Sequence, residues 1–169
     1  MAVGQPTHEG AFEGDLIRPL GLVTLYFGYA EFTVNRLLAW VKEAGLIADT
    51  STTMPLGQKI ALLRDTLGDL QREEVREFLE LLKAGHLILT RRNALVHASV
   101  LAHGHVISND GSGQRFTVTP QQLCELAEQI FDWKERLDVM FQKQLLPALP
   151  KWAKGCTIAR RSPPDTSVC

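Results

Sequence analysis

The stretch from residue 73 to residue 98 constrains this chain more than any other. It holds no proline and a single glycine, Gly85, and it is rich in Glu, Leu, Ala, Lys and Arg, all strong helix formers. One apolar stripe runs through Val75, Leu79, Leu82, His86, Leu89, Asn93 and Val96. A second runs beside it through Phe78, Leu81, Gly85, Ile88, Arg92 and Leu95. A surface helix normally buries one stripe, so two adjacent stripes predict a central helix with a wide buried arc, packed on its own chain and on a second copy. Three polar residues interrupt these stripes: His86, Asn93 and Arg92. Buried polar groups need partners, so these positions mark a structural network or a site.

The rest of the chain reads as a helix bundle around that element. Leu16, Leu20, Val23, Phe27, Ala30, Val34, Leu37 and Val41 recur at spacings of four and three, predicting a first helix over residues 15–44 that Asp15 can cap and Gly45 ends. Thr24, Gly28, Glu31 and Asn35 form a polar lane beside that seam, and Glu31 is expected to find a hydrogen-bonding or cationic partner. A shorter helix is expected over 55–70, with Pro55 at its first position and Thr53 or Met54 as its cap. Thr119-Pro120-Gln121-Gln122 is a capping-box start for a last helix ending near Leu146, before Pro147. Between the third and last helices, two β-prone runs flank Asn109-Asp110-Gly111-Ser112-Gly113 and predict a β-hairpin. The fold class is therefore all-α: an up-and-down bundle of four to five helices over 15–149, with a hairpin before the last long helix. Residues 1–14 read as a flexible leader and 151–169 as a loosely held basic tail.

At 169 residues with a net charge of −1, the chain suits one domain and has no global attraction to nucleic acid, so any such role must rest on a local basic patch. The cysteines Cys124, Cys156 and Cys169 are odd in number and too widely spaced for a metal motif. Absence of a secretory pattern makes the cytoplasm the expected compartment. The apolar run 19–30 is too short to span a membrane. His103 and His105 alternate along one strand without a third ligand, so no metal or cofactor is expected. Gly111-x-Gly113 lacks a surrounding strand-to-helix unit and reads as a turn, not a phosphate loop.

The chemistry-bearing group is Arg92-Asn93-x-x-x-His97. Asn93 and His97 lie one turn apart on a helix, whereas Arg92 lies roughly 140° around from His97. His86 and Thr90 continue the same lane, and Arg91 flanks it. A histidine near its ordinary pKa can take or give a proton at neutral pH, and a guanidinium can grip a phosphate and stabilise charge added to it. An asparagine amide can orient either. RNA carries its own nucleophile, the 2′-OH, so the grouping suits metal-independent phosphodiester cleavage. The alternative for the same residues is a structural network, with Arg92 paired to Glu31 or another carboxylate. His86 reads first as a satisfied core histidine, and Glu31 as a cation's partner and not a general base.

This motif resembles that of the HEPN superfamily (higher eukaryote and prokaryote nucleotide-binding): Arg, then four to six residues beginning with a polar one, then His. Arg92, Asn93 and His97 fit the four-residue version at the end of a third helix. The internal Glu31, the Leu-Gly-Gln-Lys-Ile start of helix two at residues 56–60, and a glycine-containing hairpin after the motif are also similar. The resemblance implies a metal-independent endoribonuclease that works as a homodimer and leaves a 2′,3′-cyclic phosphate. It further implies a toxin–antitoxin or phage-defence setting with a separate antitoxin or control protein. By the same resemblance, Arg92, Asn93 and His97 would be catalytic, with Glu31, His86 and Arg91 in support. Other members have lost catalysis, so the resemblance equally allows a silent helical module that binds a partner protein or nucleotide.

Overall fold

The computed structural model describes residues 16–47, 53–96, 99–100, 105–107 and 115–150. The chain is predominantly helical. Four α-helices run α1 (Ile17–Glu43), α2 (Leu56–Gly68), α3 (Glu73–Val96) and α4 (Pro120–Met140), with a π-helical turn, Phe141–Leu145, continuing α4. Three short strands, β1 (Ser99–Val100), β2 (His105–Ile107) and β3 (Arg115–Thr117), form an antiparallel sheet in that order. Val106 pairs with Val100 on one side and with Phe116 on the other. The sheet thus has one strand more than the expected hairpin, and the Asn109–Gly113 turn lies outside the described residues. The leader, the connector at 48–52 and the tail from 151 onward also lie outside them.

Local chemistry accounts for the end of α1 and the start of α4. Gly45 takes a φ of +74° just past α1, and Leu46 N donates to the Val41 carbonyl at 3.2 Å, so the left-handed glycine closes the helix. At α4, the Thr119 side chain accepts from Gln122 N while the Gln122 side chain accepts from Thr119 N, completing a capping box with Pro120 at the first position. The start of α2 differs from expectation. Pro55 is itself the N-cap, with ψ of 147° and no side-chain hydrogen bond of its own to offer the helix. An extended proline ends the preceding chain direction without needing an N–H, which removes one orphan donor.

α1 packs chiefly along α4, α2 along α3, and α3 along α4. The buried residues on α3 are Val75, Phe78, Leu81, Leu82, Gly85 and Leu89. They come from both stripes read in the sequence, and Leu79, Ile88, Leu95 and Val96 pack against the core beside them, so the buried arc is wide. Two polar members of the first stripe differ from expectation: His86 and Asn93 are exposed. His86 is not a core histidine. Arg36 and Asp138 form an ion pair that ties α1 to α4.

Candidate functional site

Arg92 continues the α3 seam beyond Leu89, at the point where the bundle core gives out. Phe27 holds the matching place on α1. It belongs to the seam of Val23, Ala30 and Val34, yet it is half-buried where they are sealed, so it packs at the edge of the core. The two defects in the two seams meet. Arg92 Cζ lies 3.8 Å from the centroid of the Phe27 ring, within cation–π range. A long side chain can lay its stem along apolar surface while its head turns outward, which suits a guanidinium at a core edge.

Polar contacts orient the head. Arg92 Nη1 donates to Asn93 Oδ1 at 3.1 Å, so the Arg-Asn pair is joined directly. Arg92 Nε is buried with no hydrogen-bond partner among the described residues. Burial pulls the guanidinium below the ordinary arginine range, and the negative charge of Glu31 opposes that shift. An arginine remains protonated at neutral pH even so.

Glu31 lies one helical turn beyond Phe27, on the same face of α1. It has the cationic partner expected of it, but that partner is Lys59: Nζ to Oε1 is 3.2 Å. Lys59 is only 3 % exposed, while Glu31 is 40 % exposed. Lys59 belongs to the Leu-Gly-Gln-Lys-Ile start of α2 and went unrecognised as a site residue in the sequence. Its signal was present: a lysine beside Ile60, Leu63 and Leu56 on a short helix with an apolar face needs a nearby anion. Lys59 thus pairs with the carboxylate whose negative charge also acts on Arg92.

The neighbouring Arg91 turns the other way. It is exposed, and its Nη1 donates to Gln129 Oε1 on α4 at 3.4 Å. It lines an open cleft of about 490 Å³ together with Leu95, Val118, Gln122, Glu125 and Gln129. Consecutive guanidiniums thus serve different faces of α3, and Arg91 does not join the Arg92 cluster. His86 donates nothing to that cluster either; its carbonyl accepts from Thr90 Oγ1 at 3.0 Å. His97 and His103 lie outside the described residues, as do Cys156 and Cys169. Among the described residues, no three His, Cys, Asp or Glu side chains gather as a metal-ligand set. No helix among them is long and apolar enough to cross a membrane.

Comparison with protein-family models, with curated proteins and with solved structures finds no match.

Proposed function

We propose that this protein is a metal-independent endoribonuclease of HEPN type, with Arg92 as the phosphate-binding group, Asn93 as its orienting partner and His97 as the acid/base. The observation that carries this reading is the state of Arg92. It is stacked on Phe27 and steered by Asn93, and it contacts no carboxylate among the described residues. A guanidinium held this way is charged, oriented and open to an anion.

In the reaction, the RNA 2′-oxygen forms a bond to the adjacent phosphorus and the bond from phosphorus to the 5′-oxygen breaks. The base takes the 2′-hydroxyl proton, and the departing 5′-oxygen receives a proton from an acid. Arg92 meets the extra negative charge on the phosphorane-like transition state. Placing His97 at the proton-transfer step rests on its sequence spacing from Arg92 and Asn93. A cytoplasmic toxin–antitoxin or phage-defence setting, with a separate control protein, follows from the same reading.

A homodimer belongs to this reading, because one motif supplies one guanidinium and one imidazole. The exposed stripe of Leu25, Tyr29 and Phe32 on α1 gives a surface for a second chain. That same stripe favours the second reading, a helical module that binds a partner protein through α1 and performs no chemistry.

The termini of the products distinguish the two. RNA treated with the full-length protein in EDTA is expected to yield fragments ending in 2′,3′-cyclic phosphate, and a 2′-O-methyl RNA is expected to survive. Products ending in a free 3′-hydroxyl, or a complete lack of cleavage, contradict the ribonuclease reading.

A further inference from the structure

Arg92 has a carboxylate within reach of its field and yet makes no ion pair with it. Glu31 stands one turn from Phe27, and the Arg92 guanidinium lies against that ring. Arginine and carboxylate form strong paired hydrogen bonds when geometry allows, so Glu31 is the natural partner for Arg92. It is bonded to Lys59 instead.

We propose that Lys59 is a positioning residue for Arg92: by holding Glu31, it keeps the carboxylate off the guanidinium and leaves that guanidinium free for a phosphate oxygen. The functional half of this inference rests on the ribonuclease reading above. The structural half does not.

Three observations carry it. First, Lys59 is 3 % exposed, so it cannot itself meet RNA, and a buried ammonium strongly retains a paired anion. Second, Glu31 is the more exposed partner, so its carboxylate is the member of the pair with room to turn away. Third, among the described residues Arg92 donates through Nη1 to Asn93 and its buried Nε has no partner, which is the bonding of a guanidinium that none of their carboxylates has claimed. If Arg92 were already paired with Glu31, an incoming phosphate would have to displace that charge before it gained anything. The buried lysine removes the competitor.

The test uses full-length wild type, Lys59→Met, and the double variant Glu31→Gln with Lys59→Met. One readout is the ¹⁵N–¹H resonance of the Arg92 Nε–H, assigned by its loss in Arg92→Ala. The other is affinity for a short 2′-O-methyl oligoribonucleotide, which binds but cannot be cut. Lys59→Met is expected to shift the Nε–H resonance downfield, as Glu31 turns to Arg92, and to weaken RNA binding about tenfold, the worth of one charge-assisted hydrogen bond. The double variant, with no carboxylate left to sequester Arg92, is expected to return both readouts toward wild type. A merely structural role for Lys59 predicts no such rescue.

The inference is overturned if Lys59→Met leaves the Nε–H resonance unchanged, or if the double variant resembles Lys59→Met. Should Lys59→Met fail to fold, Lys59→Gln, which keeps a donor without the charge, takes its place. If Arg92→Ala binds RNA as well as wild type, the ribonuclease reading fails, and the resonance still decides the role of Lys59.

Discussion

Gly85 on α3 lies so close to Trp133 on α4 that a Cβ at Gly85 would stand 2.2 Å from Trp133 Cζ2. The indole lies over the glycine and donates from Nε1 to the Leu81 carbonyl at 2.8 Å. Trp133 is 3 % exposed, so this donor has no access to water and needs that partner. The pair sets how closely α3 approaches α4, and hence where the end of α3 delivers Arg92.

Gly85→Ala is therefore expected to destabilise the protein although alanine is the better helix former. The propensity gain is about 1 kcal/mol, whereas overpacking against a rigid buried ring costs about 1–3 kcal/mol or more. Urea denaturation of the variant should show a lower midpoint. An unchanged or higher midpoint would mean that the indole moves aside freely.

Glu31→Gln alone is expected to cost about 1–3 kcal/mol, because it strands the buried Lys59 ammonium. Pairing it with Lys59→Met should recover most of that loss, since the remaining groups are then an exposed amide and an apolar side chain. Thermal melts of the two variants check this. A double variant less stable than Glu31→Gln would contradict it.

Phe27→Leu keeps an apolar side chain and removes the ring under Arg92. A cation–π contact at a half-exposed site is worth about 0.5–1 kcal/mol, so RNA affinity should fall about two- to fivefold with little change in fold stability. An unaltered affinity would show that the ring does not hold the guanidinium in its binding position.

Much of this architecture was legible in the sequence, for identifiable reasons. The seam of α1 and the capping box at Thr119 are local signals: side-chain spacing and hydrogen bonds within one turn. The polar lane containing Glu31 implied a cationic partner, and there is one. Which cation it would be was not legible, because Lys59 and Arg92 are both near it only in the folded chain. The exposure of His86 was missed because neighbouring columns look alike on a helical repeat until the packing partners are known. The close contact of Gly85 with Trp133 was hidden for the same reason. A glycine in a helix reads as a weakness until an indole is seen to occupy its place.

Arg91 provides a contrast within the same dipeptide. It faces Gln129 and the open cleft on α4, away from Phe27. Arg91→Ala is expected to change stability by no more than about 0.5 kcal/mol, as for an exposed side chain, and to leave RNA cleavage within about twofold of wild type. A loss as large as that of an Arg92 variant would place both guanidiniums on the substrate and undo the division between the two faces of α3.

The initial rate of RNA cleavage in EDTA by full-length wild type and Arg92→Ala tests the central claim most directly. The wild type should cut, and the variant should be slower by about a hundredfold or more, the usual cost of removing one preorganised donor from a charged transition state. An inert wild type, or an Arg92→Ala protein that cuts at the same rate, would contradict it.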